Sequence, residues 1–528
     1  MQICADNYRK ETIIDMNNNT CSLTLLSARR AEAEGMERIS PEERPAFHLT
    51  PPAGWLNDPN GFSFYGGKYH LFFQYNPYAA HWDKMHWGHA VTSDLLKWTY
   101  LPAVLAPDSV LDEGGCFSGS AIELGDGRQL LMYTGLTPAP ENSPSPEAGA
   151  CGPDEKKGPE YYQVQNLAVG DGRDYVKYEG NPVIGSDMLP EGLDLCQFRD
   201  PKMIPLKDGS YGVLTVSMGE DGLGHVLLFR SEDGFSWQFI RELYRNDGRF
   251  GLMWECPDFF ELDGKWFLLV SPMDMIRRGF EYHNGYESMV FGGSFDEESL
   301  EFKPDYDQCV DYGIDFYAAQ TMLAPDGRRI MVGWMQNWET REMIPGDMKW
   351  AGQMTVPREL SFRGGRLYQQ PVREISRYYG NTVFYRKVPV SDEINLYGVD
   401  GRIIDLDIKI SPAQDEPLYR YFVIRFAMNE EYYSEAMYSP DTGIFVISRE
   451  YSGTRKGGLH QRNCLVPESM DGNLSVRILL DRYSFEIFIN DGRYAMSAVI
   501  YTDPGAAQIS FRAGGKAVID VAKREIKL

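Results

Sequence analysis

Three acidic residues stand at the same distance ahead of three glycine-centred turns. Each acid precedes its turn glycine by nine residues and opens a run of mainly apolar residues. One such Asp-Pro pair alone is typical of a turn that begins a strand. Three acids at one repeat position indicate a shared site, because equivalent positions converge when repeats close around an axis. The pairs are Asp58 with Gly67, Asp200 with Gly209, and Glu255 with Gly264.

Converging carboxyl groups suit two kinds of chemistry. They could hold a hard cation such as Ca²⁺, although the spacing of a known calcium loop is missing. They could instead cleave a glycosidic bond with retention, which needs two carboxyl groups about 5–5.5 Å apart. One group must be ionised to attack the anomeric carbon, and the other must carry a proton for the leaving oxygen. We expect crowding and burial together to leave the proton on Glu255, while the pKa of Asp58 stays ordinary.

Glycine turns recur five times in the first two thirds of the chain and predict the elements that position the acids. Each Asp-Gly or Gly-Gly pair lies between two apolar strands, which is typical of β-hairpins. The spacings between turn glycines are 60, 82, 55 and 63 residues, so each repeat has room for a four-stranded antiparallel sheet. The pattern predicts an all-β fold with a five-bladed β-propeller, and outer hairpins near 93–98, 171–178, 231–237 and 294–302. The turn glycines are Gly67, Gly127, Gly209, Gly264 and Gly327.

The pattern changes after about residue 370. Short alternating strands such as GRIIDLDIKI and YSFEIFIN continue, but the regular turn spacing is lost, which predicts a C-terminal β-sandwich. A segment rich in Pro, Gly, Ser and Glu over 137–159 predicts an inserted surface loop. The predicted divisions are an N-terminal extension with a short helix near 25–36 (1–40), a catalytic propeller (41–370), a linker (371–380) and a β-sandwich (381–528).

Composition argues against several classes of partner. The net charge of −24 and the pI near 4.8 disfavour nucleic acid and anionic membrane surfaces. No segment approaches the ~20 apolar residues that span a bilayer, and the acidic N-terminal residues do not fit a signal peptide. The 8 scattered cysteines form no CxxC pair and no zinc pattern, which is typical of a reduced compartment. We therefore expect a soluble cytoplasmic protein.

Eight motifs in order resemble glycoside hydrolase family 32, which contains invertases, sucrose-6-phosphate hydrolases and exo-acting inulinases and levanases. The resemblance covers about residues 40 to 528 and implies a five-bladed propeller followed by a β-sandwich. It also implies retaining hydrolysis of terminal β-D-fructofuranosyl residues of sucrose and short fructo-oligosaccharides through a fructosyl-enzyme. The motifs are HLTPPAGWLNDPNG (48–61), FFQYNP (72–77), MHWGHAVTSDLLKW (85–98), GCFSGSA (115–121), FRDPK (198–202), WECPD (254–258), DFYAAQ (315–320) and SFEIFINDG (484–492).

The resemblance implies a role for each acid. Asp58 matches the nucleophile, Glu255 matches the acid/base, and Asp200 matches a residue that stabilises the transition state through fructose hydroxyl groups. Core packing is the alternative interpretation for the two aromatic matches at 82 and 117. The matches to the fructose pocket are Asn57, Gln74, Trp82, Phe117, Ser118 and Arg199, and the weaker matches to its rim are Asp311, Tyr317, Trp334 and Trp338.

Several alternatives stay open at this point. A phosphorylated sucrose would need cations near the glucose side, for which Lys84, Arg341 and Lys349 are candidates. Transfer of fructose to a sugar would use the same acids, whereas a non-catalytic sugar-binding propeller would not need them. The sandwich is expected to stabilise the propeller, and a homo-oligomer could form through it. No cofactor or metal is implied: strand packing is the better interpretation for the histidines at 48, 70, 81, 86 and 89.

Overall fold

The computed structural model describes residues 21–140, 160–453 and 458–528. Strands contain 51% of the residues and helices 7%, so the fold belongs to the all-β class, as predicted. The surface loop predicted over 137–159 lies outside the described residues from 141 onward. Within the described ranges, each helix is too short or too polar to cross a membrane.

The strands between residues 54 and 371 form five sheets. Neighbouring strands pair antiparallel in chain order, except that one short late strand joins the first sheet in parallel. The first sheet contains β1 (Gly54–Tyr65), β2 (Lys68–Asn76), β3 (His86–Thr92) and β4 (Thr99–Leu105), with β19 (Trp350–Ala351) beside β1. The second contains β5 (Cys116–Glu123), β6 (Gln129–Pro138), β7 (Tyr161–Gly170) and β8 (Tyr175–Lys177).

The remaining three sheets of this region repeat the four-stranded arrangement. The third contains β9 (Arg199–Pro205), β10 (Tyr211–Met218), β11 (Gly224–Ser231) and β12 (Gln238–Arg245). The fourth contains β13 (Trp254–Leu262), β14 (Lys265–Pro272), β15 (Met289–Asp296) and β16 (Glu301–Cys309). The fifth contains β17 (Tyr317–Leu323), β18 (Arg329–Trp334), β20 (Arg358–Arg363) and β21 (Arg366–Pro371).

The first two strands of every sheet are joined at the predicted turn glycines. All five glycines adopt a positive φ, between +78° and +89°, a region that strains residues with a Cβ atom. The four predicted outer hairpins are also present, as the β3–β4, β7–β8, β11–β12 and β15–β16 pairs. The prediction of repeated hairpins is therefore confirmed.

The first strands of the five sheets contact one another in a closed sequence. β1 contacts β5, β5 contacts β9, β9 contacts β13, β13 contacts β17, and β17 contacts β1. Three of these strands carry a predicted catalytic acid near their N-terminal ends. The closed sequence of contacts therefore brings acids that are far apart in the chain to one region.

Two further antiparallel sheets occupy residues 379–526 and share one apolar core. A 3₁₀ segment over Arg373–Tyr378, inside the predicted linker, leads into them. One sheet has the order β22 (Tyr379–Val390), β32 (Ala517–Ile526), β23 (Ile404–Pro412), β28 (Leu474–Asp481), β29 (Ser484–Ile489) and β30 (Tyr494–Val499). The other has the order β27 (Gln461–Leu465), β26 (Ile444–Ser448), β25 (Ser434–Ser439), β24 (Phe422–Met428) and β31 (Gln508–Ala513).

Helix α1 (Leu23–Met36) covers the region where the sequence predicts a short helix. Ser22 caps it by accepting a hydrogen bond from the Leu25 backbone amide, at 3.1 Å. On strand β4, Ala103 accepts a hydrogen bond from Arg29 Nε at 2.9 Å and donates one to Glu32 at 3.1 Å. The helix therefore covers the outer edge of the first sheet, which would otherwise expose unpaired backbone groups.

A buried ionic network joins the first 371 residues to the C-terminal sheets. The His48 ring lies 2.9 Å from Asp481 through Nδ1 and 2.9 Å from Glu486 through Nε2. Arg358 donates to Glu486 and to Asp311, and each of these side chains is fully buried. The expectation that His48 serves strand packing is wrong, because its two nitrogens meet carboxylates from β28 and β29.

Candidate active site

All five first strands contain an irregularity in register near the catalytic end of the sheet. At each irregularity one or two residues of the first strand have no partner on the second strand, which is the signature of a β-bulge. Bulges bend a strand and redirect its side chains, so they can turn residues of a sheet toward a pocket. The irregularities lie between Leu56 and Pro59, Phe117 and Gly119, Arg199 and Lys202, Glu255 and Asp258, and Tyr317 and Gln320.

Three of the bulges contain a non-glycine residue in the left-handed region. The φ angles are +60° at Asp200, +48° at Cys256 and +53° at Ala318. Such angles are unfavourable for residues with a Cβ atom, and they persist where surrounding structure enforces them. The repeated distortion in three sheets indicates that the bulges serve the site rather than the sheets.

Asp58 lies in the first bulge and is buried. Its Oδ2 accepts a hydrogen bond from Ser118 Oγ at 2.6 Å and one from Cys256 Sγ at 3.7 Å. Its Oδ1 has no hydrogen-bond partner among the described residues. One oxygen is thus held in place while the other has its lone pairs free, which suits a nucleophile.

Burial raises the pKa of Asp58 to about 6. The hydrogen bond from Ser118 opposes this rise, and the nearby charge of Glu255 adds to it. The expectation of an ordinary pKa for Asp58 is wrong, because the loss of hydration acts on Asp58 itself and is the largest cause of the rise. Asp58 is still mainly ionised at neutral pH, as attack on a carbon atom requires.

Glu255 is held by donors on both carboxyl oxygens. Arg199 Nη2 donates to Oε1 at 3.1 Å, and the Tyr317 hydroxyl group donates to Oε2 at 2.7 Å. The same hydroxyl group lies 3.0 Å from the carbonyl oxygen of Ser271. Tyr317, a weaker prediction for the pocket rim, therefore positions the predicted acid/base.

Asp200 is buried beside Arg199. Its Oδ2 accepts a hydrogen bond from the Cys256 backbone amide at 2.9 Å and lies 3.8 Å from Arg199 Nε. Its own amide donates to Thr134 Oγ1 at 2.9 Å. Burial raises the pKa of Asp200, and the Arg199 guanidinium group opposes this rise.

Two residues link the three acids. Cys256 follows Glu255 in the chain and contacts both Asp58 and Asp200. Arg199 precedes Asp200 and contacts the carboxyl groups of both Asp200 and Glu255. The structure therefore brings the three predicted acids together, although nearly 200 residues separate the first from the last.

Two of the predicted pocket residues are buried amides near Asp58. Asn57 accepts a hydrogen bond from Trp55 Nε1 at 2.8 Å. Gln74 donates to the Cys116 carbonyl oxygen at 3.1 Å and thereby ties the first sheet to the second. Both hydrogen bonds orient amide groups close to the bulges of β1 and β5.

Aromatic side chains form one wall beside these groups. The rings of Trp82 and Phe117 meet edge to face at 6.1 Å, and Trp82 also contacts Trp338 at 6.3 Å. Trp82 is 42% exposed, which contradicts the core-packing interpretation for this residue and fits a pocket wall. Arg341 lies over the Trp338 ring, at 5.1 Å from its centroid.

Two weaker predictions for the rim are wrong. Asp311 is fully buried and accepts hydrogen bonds from Arg358 at 2.9 Å and from Ser497 Oγ at 2.7 Å, so it belongs to the ionic network. Trp334 is fully buried behind Trp338, with ring centroids 5.2 Å apart. The side chains of Asp311 and Trp334 point away from the site, whereas those of Tyr317 and Trp338 contact its residues. A sequence motif does not specify the direction of a side chain.

Sequence reasoning missed a buried ion pair between the third and fourth sheets. Lys202 Nζ donates to Asp258 Oδ2 at 3.1 Å and to the Thr321 carbonyl oxygen at 3.0 Å. The Thr321 amide in turn donates to Asp258. The pair joins β9, β13 and β17 just beyond their bulges. Its only sequence signal is that both residues close their motifs, FRDPK and WECPD.

Acids that meet where the strands of an all-β domain converge fit the chemistry of a glycoside hydrolase, which needs a pair of carboxyl groups. The chain belongs to family 32: the family model "Glycosyl hydrolases family 32 N-terminal domain" matches residues 48–371, and the C-terminal model matches residues 375–527.

Proteins from several organisms are similar over nearly the whole chain. The Escherichia coli sucrose-6-phosphate hydrolase is 34% identical over 94% of this chain and 97% of its own length. The Escherichia coli raffinose invertase is 34% identical over 90% and 93%. Among solved structures, a mutant of the Bombyx mori GH32 beta-fructofuranosidase in complex with sucrose is 33% identical, with a TM-score of 0.78 over 95% of this chain and 97% of that one.

Proposed function

We propose that the chain is a retaining β-fructofuranosidase that releases terminal non-reducing β-D-fructofuranosyl residues from sucrose and short fructo-oligosaccharides. The contact of Cys256 with both Asp58 and Asp200 carries this proposal, because it brings the nucleophile and its stabiliser to the strand that bears Glu255. Membership of family 32 and the similarity to a sucrose-bound beta-fructofuranosidase support it.

The proposed architecture is a five-bladed β-propeller followed by a β-sandwich. The closed sequence of contacts between β1, β5, β9, β13 and β17 supports five blades. The shared core of the two C-terminal sheets supports a sandwich. We place the propeller at 41–370, the linker at 371–380 and the sandwich at 381–528, with residues 1–40 as an N-terminal extension.

In the first half of the reaction, Asp58 attacks the anomeric carbon of the fructosyl unit. The glycosidic bond breaks as Glu255 transfers its proton to the leaving oxygen, so that glucose departs neutral from sucrose. The product is an ester between Asp58 and fructose. Ser118 stays bonded to the other carboxyl oxygen and holds the ester in place.

In the second half, water replaces the leaving group. The Glu255 carboxylate takes a proton from this water, whose oxygen attacks the anomeric carbon and releases Asp58 as a carboxylate. Two inversions give net retention. Arg199 and Tyr317 keep Glu255 in one position through both proton transfers.

The remaining predicted residues shape the fructose pocket. Asp200 accepts hydrogen bonds from ring hydroxyl groups, which strengthen as positive charge develops on the sugar. Asn57 and Gln74 supply amide groups, and Trp82 and Phe117 cover apolar faces of the ring.

Product analysis tests this proposal. The protein is incubated with sucrose, kestose, inulin and levan, and the anomer of the first released fructose is followed by NMR. The β-anomer is expected, and the α-anomer would contradict the double displacement. Glu255→Gln should lower kcat on sucrose about 10²–10⁴-fold, and far less on a fructoside with a good leaving group that needs no protonation.

Hydrolysis of sucrose-6-phosphate is the second candidate. It is favoured by the similarity to the Escherichia coli sucrose-6-phosphate hydrolase and by Arg341 beside the aromatic wall. Lys84 is exposed two residues after Trp82, whereas Lys349 is bound by Glu43 at 2.9 Å. Rates on sucrose and sucrose-6-phosphate, measured side by side for wild type and Arg341→Met, separate the two substrates.

Two expectations stay predictions. Cytoplasmic localisation is proposed, with the scattered cysteine pattern in its support. A homo-oligomer through the C-terminal sheets is proposed without a defined surface, and sedimentation of the purified chain tests it.

A further inference from the structure

A second cavity lies on the third sheet, away from the three acids. Its volume is about 400 Å³, within the range of small-molecule sites, roughly 300–1,000 Å³. None of the residues assigned to the reaction lines it. The lining residues that matter here are Gly219, Asp221, His225, Phe239, Glu242 and Arg245.

The cavity opens at the same end of the sheet as the catalytic residues. β9 begins there with Arg199, β10 ends there at Met218, and β11 begins there with Gly224. His225 on β11 lies two strand spacings, about 10 Å, from β9. A chain that leaves the catalytic pocket across the third sheet therefore passes over this cavity.

One buried polar atom in the cavity wall lacks a partner. Glu242 Oε2 lies 2.5 Å from His225 Nδ1 and thereby fixes the orientation of the ring. His225 Nε2 is buried without a hydrogen bond and lies 3.9 Å from Asp221 Oδ1. Arg245 holds Asp221 by its other carboxyl oxygen, at 2.8 Å. Asp221, His225, Glu242 and Arg245 therefore form a fixed set of polar groups in the cavity wall that can meet the hydroxyl groups of a ligand.

An aromatic side chain faces the same space. Phe239 is 37% exposed, and its ring is fixed edge to face against Phe229 at 5.5 Å. A rigid exposed ring beside a set of carboxylates and a guanidinium group is suited to a sugar, which presents C–H faces and adjacent hydroxyl groups.

We propose that this cavity is an accessory binding site for the distal fructosyl units of an oligofructan whose terminal unit occupies the catalytic pocket. This proposal rests on the proposed function. A metal ion is the less favoured occupant, because the described residues contain no group of three side chains placed to ligate one.

The test compares chain lengths. KM and kcat are measured on sucrose and on purified oligofructans of increasing length for wild type, Phe239→Ala and His225→Gln. We expect sucrose kinetics within twofold of wild type and KM for the longer chains raised about five- to tenfold. Phe384→Ala, which removes an exposed ring from β22, is the matched control and should change neither.

A direct binding measurement tests the proposed accessory site even if one of the cavity variants folds poorly. Isothermal titration of Asp58→Asn and of Asp58→Asn/Glu242→Gln should show equal affinity for kestose, and weaker binding of long chains by the double variant. Unchanged KM and affinity for long chains in all cavity variants would overturn the proposal. Binding of Zn²⁺ that depends on His225, without any effect on fructans, would also overturn it. Normal sucrose hydrolysis by Phe239→Ala and His225→Gln would leave the proposed function intact whichever of these results is obtained.

Discussion

The protein contains two clusters of buried carboxyl groups that behave in opposite ways. The first, called the catalytic cluster after its proposed role, contains Asp58, Asp200 and Glu255, with Arg199 as the cation that contacts two of them. The interface cluster contains Asp311, Asp481 and Glu486, with Arg358 and His48 among them.

The direction of the pKa shifts in each cluster depends on how strongly nearby cations offset the effect of burial. In the interface cluster, burial would raise the pKa of both Asp481 and Glu486. His48 holds the pKa of Asp481 below its usual value, and Arg358 together with His48 does the same for Glu486. In the catalytic cluster, burial prevails and raises the pKa of Asp58 and of Asp200. Buried carboxyl groups therefore stabilise the structure in the interface cluster. In the catalytic cluster, the raised pKa values of Asp58 and Asp200 are typical of a functional site.

The largest expected effect concerns the catalytic cluster. Asp58→Asn should lower kcat on sucrose at least ~10⁴-fold, because an amide cannot form the fructosyl ester. Steady-state release of glucose measures this loss. Asp83→Asn, an exposed acid near the same pocket, is the control and should keep normal activity. Wild-type rates in Asp58→Asn would refute the assigned nucleophile.

Breaking the interface cluster should lower stability instead. Arg358→Met leaves Asp311 and Glu486 buried without their shared cation, which should lower the free energy of unfolding by about 3–5 kcal/mol. Denaturant unfolding measures the change. Arg373→Met removes an exposed ion pair with Glu359 and should cost less than about 1 kcal/mol. Equal effects of the two substitutions would contradict the importance of burial.

His48 should make the interface sensitive to alkali. Burial opposes its charge, but hydrogen bonds to Asp481 and Glu486 raise the pKa of His48 to about 9. Its stabilisation is therefore complete below the unfolded pKa of about 6.5 and is lost as pH rises through 9, up to about 3 kcal/mol. Melting temperatures between pH 6.5 and 9.5 should fall in wild type and stay flatter in His48→Gln. Parallel curves would refute this role.

The catalytic cluster should respond in the opposite direction. Because the pKa of Asp58 is raised to about 6 on folding, ionised Asp58 destabilises the protein above that pH. Asp58→Asn should therefore increase the free energy of unfolding at pH 7.5 by about 2–3 kcal/mol, and the gain should shrink as pH falls from 6 toward 4. Thermal unfolding at several pH values tests this. A variant less stable than wild type at pH 7.5 would contradict it.

The smallest expected effect is a shift in the acidic limb of the pH–rate profile. Since Asp58 must be ionised to attack, kcat/KM should fall about tenfold per pH unit below pH 6. Ser118→Ala removes the hydrogen bond that opposes the rise, so the acidic limb should move to higher pH. A limb that stays in place in this variant would assign the ionisation to another group.

Local patterns in the sequence were enough to predict the repeated hairpins. The turn glycines at 67, 127, 209, 264 and 327 marked the first hairpin of every sheet, because only glycine adopts these angles without strain. The equal offset of the three acids from these turns predicted their convergence. The DFYAAQ motif also marked Tyr317 as a candidate for the site. Only the structure showed that Tyr317 positions Glu255.

Long-range packing decided what the motifs left open. Asp311 and Trp334 lie on either side of the DFYAAQ motif, yet their side chains turn into the ionic network and the core. His48 opens a catalytic motif and serves the interface, because Asp481 and Glu486 reach it from more than 430 residues away. No local pattern specifies such partners.

By itself, the sequence determined the all-β class, the repeat and the identity of the three acids, since turn chemistry and spacing are local properties. Only the tertiary structure decided which acids ionise readily and which do not. Hydration and counter-charge depend on everything packed around a carboxyl group. Asp58 and Glu486, both buried, are distinguished by their neighbours rather than by their place in the chain.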